Sequence, residues 1–364
     1  MDGVTILPGA RLTKLVQRGD WNFAGGVHFE FGALFEAARH QRPGGRTVHV
    51  GDWAEAAAAG AKPAPDGLYG GLFYSHFGHF LVESLGRLWA ATAPEYADLP
   101  IYAHPLWGRP DLEAPEGFCA FTLAALGIDP ARIVLVEETL AVERLFVPKL
   151  RFWFGEGGFD VPFLQFLVKA QKAVEAFAQG PKKLYVSRTQ WDPARGIVVG
   201  EADFEAYLEG QGYVAIHPQT MSFREQLAHY AAAEKIIFAE GSALHACVLL
   251  PALRAKVAMI HRRPRPPFMA WAGNIGFVHD IFIVSAVHTH RRFGMKEWSG
   301  VSYVDYLGVS EGLVAAGFLD APFANWPERA AAAERDAIAR FGAAAATYPE
   351  FDPAAFEGYA AKLT

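Results

Sequence analysis

The chain holds 364 residues, of which 52% are hydrophobic, 13% aromatic and 20% charged. That supports about two folded domains at ~100–200 residues each and excludes a disordered or collagen-like chain. Lys and Arg number 33 against 39 Asp and Glu, a formal charge of −6, which argues against a general nucleic-acid binder, whose affinity rests on phosphate neutralisation.

Two cysteines, Cys119 and Cys247, cannot build a disulfide framework, and no CxxC pair is present for zinc. The N-terminus MDGVTILPGARLTK lacks the charged, apolar and small-residue order of a secretory signal. The most apolar stretch, residues 243–260, is broken by Pro251, Arg254 and Lys256, short of the ~18 apolar residues that a spanning helix needs. The expectation is a cytoplasmic protein with no transmembrane segment and no nucleic-acid partner.

In chain order, residues 47–50 and 68–74 read as strands and 78–93 as a long helix. Residues 100–104, 133–136 and 144–147 are further strand candidates, with a helix near 117–126 between the first two. An amphipathic helix over 161–179 ends at Gly180–Pro181, a stop signal that marks a domain boundary. Beyond it the pattern sharpens. Strands at 183–188, 213–217, 235–239 and 256–261 alternate with helices at 201–209, 222–233 and 242–250. Such alternation predicts a parallel sheet covered by helices, with ligands beyond the carboxyl ends of the strands. Ser187, Arg188, His217, Glu240 and His261 fall at that end. Two Ala-rich helical patterns, 326–345 and 353–362, close the chain and need a surface to pack on.

The segment FYSHFGHFLVESLGRLWA carries the most unusual chemistry. On a helix of 3.6 residues per turn, His76, His79, Glu83 and Arg87 share one face, while Phe77, Leu81, Leu85 and Leu88 line another. Three readings compete. Either His79 or Glu83 serves as a general base, since a carboxylate touching an imidazole sets its tautomer and raises its basicity. Alternatively His76, His79 and Glu83 bind a metal, although the HExxH order is missing. In the third reading the stripe is a buried helix start whose polar groups bond the backbone.

Two further segments suit a diphosphate. Ser187–Arg188 leaves a strand, and Glu240–Gly241–Ser242 joins a strand to a helix. Gly241 lets backbone approach a ligand, the following N–H groups favour anions, and Arg188 offers bidentate contacts. Neither GxGxxG nor GxxxxGK[ST] occurs. Ser222-x-x-Glu225 reads as a capping box, with a ribose or acceptor contact by Glu225 as the alternative. From Arg254 to Lys296, eight Lys and Arg face one acidic residue, Asp280. Arg262, Arg263 and Arg265 follow the last strand directly, where an anionic substrate or plain solvent would meet them.

Together these segments resemble a known family. GHFLVESLGRLW is similar to the GHFL-x-[DE]-x-x-x-R-[LW] motif of glycosyltransferase family 61. KKLYVSR resembles its [RK]-x-[YI]-[IVL]-S-R motif, and IHPQTMSFREQLAHYAAAEKIIFAEGSALHACVLL its third. The three stand in order over about residues 70–261; one departure is Glu240, where the family has His before the Gly, with His245 following later.

The resemblance implies an α/β, GT-B-like fold of two Rossmann-like domains facing a cleft. Residues 1–180 would be the acceptor side, 181–325 the nucleotide-sugar-binding domain, and 326–364 a helical tail packing back on the body. It implies an inverting glycosyltransferase that moves sugar from a nucleotide-sugar donor to a hydroxyl of a saccharide acceptor, in bacterial capsule or surface polysaccharide synthesis. Glu83 or His79 would be the base, with His76 orienting. Ser187, Arg188, Gly241 and Ser242 would hold the diphosphate, helped by Arg87, with Glu240, Glu225 and His245 also on the donor side. No DxD triad is present to hold a divalent ion, so no metal and no cofactor beyond the nucleotide-sugar co-substrate is expected. The alternative is a non-catalytic saccharide- or nucleotide-binding subunit of a polysaccharide assembly complex. Peripheral membrane association through Arg262–Arg265 or the tail stays open, although the tail holds Glu, Asp and Ala in place of a Lys/Trp-rich face.

Overall fold

The computed structural model describes residues 3–19, 22–40, 49–51, 57, 60–152, 160–264, 280–296 and 298–363. The chain divides into two units. Unit 1 runs to Phe177 and takes in His245–Ala252; unit 2 holds Ala178–Leu244, the described part of Leu253–Pro266, and the chain from Asp280 onward.

Unit 1 is organised on one mixed sheet. Its strands are β1 (Val4–Gly19), β2 (Asn22–His28), β3 (His49–Gly51), β4 (Lys62–Ala64), β5 (Gly67–Tyr74), β6 (Ile101–Leu106), β7 (Ile133–Leu135) and β8 (Leu140–Pro148). The order is β3-β2-β1-β8-β5-β6-β7, with β4 alongside β8. Strands β8, β5, β6 and β7 are parallel, whereas β1 runs antiparallel to both β2 and β8. All eight residues of β5 are buried, the signature of a central parallel strand covered on both faces. The antiparallel strands β1 and β2 extend this sheet beyond the wholly parallel arrangement of a Rossmann-like domain. The reason lies in β1, which turns back on β2 as a hairpin and also pairs with β8 more than a hundred residues away, a partner that no local pattern announces. Of the strand expected at 47–50, Thr47 and Val48 lie outside the described residues.

The helix expected at 78–93 spans 77–92 and changes pitch along its length. It opens as an α turn at Phe77–His79, widens to i→i+5 bonding over Phe80–Ser84, then tightens to i→i+3 over Leu85–Thr92. We call it α1. Residues 80–91 are buried throughout. Gly86 is required by packing: a Cβ there would run into the Phe152 carbonyl oxygen. Next to it, Arg151 N donates to Gly86 O at 3.0 Å.

Unit 2 is built on a five-stranded, all-parallel sheet. Its strands are β9 (Lys183–Val186), β11 (Val214–Ile216), β12 (Lys235–Ala239), β13 (Lys256–Ile260) and β14 (Ile281–Val284), in the order β11-β9-β12-β13-β14. The chain moves outward from β9 to β11, then returns past β9 to β12. A doubly wound sheet reverses at such a point and leaves a crevice at its carboxyl ends. A small second sheet joins β10 (Ile197–Val198), β15 (Val287–Arg291) and β16 (Val301–Val304).

The Ala-rich tail forms helices at Trp326–Ala345 and Pro353–Ala360. Trp326, Ala337, Ile338, Phe341 and Ala345 are buried in the same core as Tyr185, Phe204 and Ile260. The tail is thus part of unit 2's own core, not a separate segment. Among the described residues, no helix is long and apolar enough to cross a membrane.

Candidate functional site

Parallel strands β5 and β6 end side by side, with Tyr74 paired to Leu106. The chain leaving β5 places His76 at the start of α1, and the first turns carry His79 and Glu83. Glu83 is 1% exposed, and a buried carboxylate must be satisfied by donors. Three converge on it. His79 Nδ1 bonds Oε1, while His40 Nε2 at 3.1 Å and the Tyr74 hydroxyl at 3.2 Å donate to Oε2. Because a carboxylate oxygen only accepts, Nδ1 of His79 carries the hydrogen, and a proton taken up by that imidazole goes to Nε2.

Tyr74 also lies under the His79 ring, stacked at 5.3 Å, and His76 meets it edge-on at 5.1 Å. His79 is therefore clamped in tautomer and plane, yet its side chain keeps 13% exposure against none for Glu83. His245 completes the group from another part of the chain. It is fully buried, and its imidazole is pushed down to about 3 by burial and by the neighbouring His79 and His76, with Glu83 opposing. The sequence placed His245 on the donor side. The structure puts it in unit 1 instead, because the run Ser242–Leu249 leaves unit 2 after Leu244.

The other member of the predicted stripe, Arg87, has a different task. It is 2% exposed and donates to the carbonyls of Pro148, of Ala37 at 2.9 Å and of Arg39 at 3.0 Å. Burial lowers its pKa to about 10, with Tyr69 opposing. A phosphate contact from Arg87 would have to break those three bonds, so the structure gives it a scaffolding role in place of the expected donor contact. Both Glu83 oxygens face hydrogen-bonding groups of His79, His40 and Tyr74. Among the described residues no group of three His, Cys, Asp or Glu is arranged to hold a metal ion.

The remaining predicted residues lie in unit 2, on either side of the sheet reversal. Arg188 leaves β9 and packs on Gly241 after β12, its Nη1 3.2 Å from where a Cβ would stand. Ser187 is turned inward, bonded to Glu205 at 2.5 Å and Thr189 at 2.9 Å. Glu240 is 1% exposed and accepts from Arg262 N at 2.8 Å, Arg263 N at 3.2 Å and Arg263 Nε at 2.7 Å. Burial alone would raise its pKa, but Arg263 and Arg262 hold it below the ordinary value. Glu240 therefore acts as the anchor of the Arg262–Arg263 turn. The sequence left those arginines between an anion-binding turn and a solvated loop, without a link to Glu240. Arg265 lies outside the described residues.

Burial lowers the pKa of Arg188 and, more strongly, of Arg262; the Arg188 and Arg263 charges add to the effect at Arg262. Among the described residues, Arg188 Nε, Arg262 Nη1, His217 Nδ1 and His261 Nε2 are buried without a hydrogen-bond partner. Guanidinium groups crowded together with unspent N–H groups form a cradle suited to an anion. Glu225 does not contribute to it: the capping box is fully formed, with Ser222 N bonding Glu225 at 2.8 Å. Ser242 opens the helical run after Gly241, as expected.

Residues 77–257 match the family model described as Glycosyltransferase 61. That segment is similar to glycosyltransferase 61 domains. The matched residues include His79, Glu83, Arg188, Gly241 and His245, and the similarity supports a glycosyltransferase. No curated protein matches the chain. His40 and Tyr74 beside Glu83 in unit 1, and Arg262 and Arg263 around Glu240 in unit 2, lie outside the matched residues. The sequence signal for them was weak: a lone His in a polar stretch, the last aromatic of a strand, and arginines that resemble a solvated loop.

Proposed function

We propose that the protein is an inverting glycosyltransferase that uses a nucleotide-sugar donor and a saccharide acceptor, a GT-B-like division in which unit 1 activates the acceptor and unit 2 holds the donor. The observation that carries this reading is the clamp on His79 by Glu83, itself fixed by His40 and Tyr74. In the proposed reaction an acceptor hydroxyl gives its proton to His79 Nε2 while its oxygen attacks the anomeric carbon from the face opposite the diphosphate. The bond from that carbon to the diphosphate oxygen breaks, and the departing oxygen takes its electron pair. Glu83 stabilises the imidazolium that forms, as the orienting carboxylate does in other acid–base dyads. Arg188, Arg262 and Arg263 receive the leaving charge. Of the two bases left open by the sequence, this favours His79, because Glu83 is enclosed by donors. With arginines neutralising the diphosphate, the reading needs no divalent ion. The setting in bacterial capsule or surface polysaccharide synthesis, in the cytoplasm, belongs to the same proposal and rests on family likeness alone.

The test is kinetic and separates the units. Glu83→Gln and His79→Ala each lower kcat by about 10²–10⁴-fold, the usual worth of a positioned base, while donor affinity stays near wild type. Arg188→Ala weakens binding of nucleoside diphosphates, read by thermal shift with and without EDTA. Full turnover in both base variants would remove the dyad from the mechanism. Turnover abolished by EDTA and restored by a divalent ion would remove the metal-independent part.

A further inference from the structure

We infer that Trp107 is a stacking platform for a pyranose ring of the acceptor, beside the base His79. The inference deepens the transferase reading and rests on it. Trp107 directly follows β6, next to the point where β5 delivers His76. Its φ is +59°, in the left-handed region, and Phe293 is the only other non-glycine residue among those described with positive φ. L-residues with large side chains avoid this conformation, and where one persists the surrounding structure holds it there, commonly at a functional site. The hold is visible: Ser75 Oγ donates to the Trp107 carbonyl at 2.5 Å, and Gly108 follows at φ +116°.

The strained turn does not bury the indole. Trp107 remains 40% exposed. Its ring stands at 85° to His79 with centroids 4.8 Å apart, at 72° to Tyr74 at 5.2 Å, and at 88° to His76 at 6.5 Å. These perpendicular ring contacts hold the indole beside the His79 imidazole. An apolar side chain that served only the core would be turned inward, as Tyr74 and Leu106 are in the same two strands. The indole π system carries negative quadrupole charge on its faces, and 40% of the residue's surface is exposed beside His79. The matching ligand presents a flat row of polarised C–H groups, with hydroxyls around its rim for hydrogen bonding. A pyranose with axial C–H groups on one face has that form. Seated on Trp107, such a ring brings one rim hydroxyl toward His79, which is what proton abstraction requires.

The experiment uses the full chain labelled with 5-fluorotryptophan, read by fluorine NMR. The chain has nine tryptophans, and Trp107→Phe assigns the Trp107 resonance by its loss. The probes are methyl β-D-glucopyranoside, methyl β-D-xylopyranoside and methyl β-D-galactopyranoside, with D-mannitol as a polyol lacking a ring face. The expected result is a saturable shift of the Trp107 resonance with at least one glycoside and none with mannitol. Trp107→Leu, which keeps apolar bulk without the π face, weakens that binding about tenfold. A Trp107 resonance unmoved by all three glycosides, or equal affinity in Trp107→Leu, would overturn the platform. Failure of the transferase reading looks different. Glycosides that bind at Trp107 in a protein that turns over no nucleotide sugar would leave the platform and remove the transfer. Transfer with an unchanged acceptor KM in Trp107→Leu would do the reverse.

Discussion

Burial treats the histidines of unit 1 unequally, and the difference is measurable. His104 is fully buried between two partners: its Nε2 donates to the Thr13 carbonyl at 2.9 Å, so its Nδ1 accepts from the Tyr69 hydroxyl at 3.1 Å. Burial pushes its pKa down to about 4, with Thr13 opposing and His28 assisting, and pushes His245 down to about 3. Above the unfolded value of ~6.5 both states are neutral and pH has no effect through these groups. Below it the unfolded chain binds protons that the folded chain refuses, so stability is lost as pH falls, by about 2 kcal/mol per group at pH 5. His104→Gln, which retains a donor and an acceptor, is expected to flatten the dependence of unfolding free energy on pH between 6 and 4.5 by about 1.1 kcal/mol per pH unit. Urea titrations across that range check it, and an unchanged slope would show that His104 titrates normally.

Helix α1 separates its residues by task. Glu83 and His79 carry the candidate chemistry. Ser84 receives the Tyr74 amide at 3.1 Å, and Trp89 donates to the Lys149 carbonyl at 2.9 Å. Its widened turn holds Glu83, and such turns occur often at functional sites. Gly86 is the tightest point, where helix and residue 152 meet backbone to backbone. In an exposed helix, Gly→Ala stabilises by about 1 kcal/mol. Here Gly86→Ala is expected to destabilise by about 2–3 kcal/mol, because Phe152 can yield only by moving its main chain. Chemical denaturation gives the sign directly, and a stabilised variant would contradict the packing.

At the scale of the molecule, the tail helix decides whether unit 2 has a closed core. Phe341 is fully buried and belongs to the cluster that contains Tyr185 and Phe204. Phe341→Ala is expected to cost about 3–5 kcal/mol. Because the same cluster supports β9, which delivers Arg188, affinity for nucleoside diphosphates falls along with stability. A variant that melts early yet binds nucleoside diphosphate as wild type would separate the tail from the donor side. Charge works locally in the same way. The whole chain is acidic, yet Arg188, Arg262 and Arg263 gather where the parallel strands end.

What the sequence by itself determined was local. Apolar runs and glycine stops located four of the five parallel strands of unit 2 closely enough to put Arg188 and Gly241 at their carboxyl ends, and left β14 (Ile281–Val284) unread. Helical spacing placed His79 and Glu83 on one face, four residues apart. The tertiary structure decided what no local period encodes. Strand β1 pairs with β8 across more than a hundred residues, and pairing at that distance leaves no repeat to read. His40 reaches Glu83 from another part of the chain, and His245 joins the same cluster because its helix passes from one unit to the other. Both are single polar residues whose burial, and hence whose chemistry, exists only once the surrounding chain has enclosed them. Glu240 followed the same rule: it stands where the family has a histidine, and its task emerged only when Arg262 and Arg263 were seen folded onto its carboxylate.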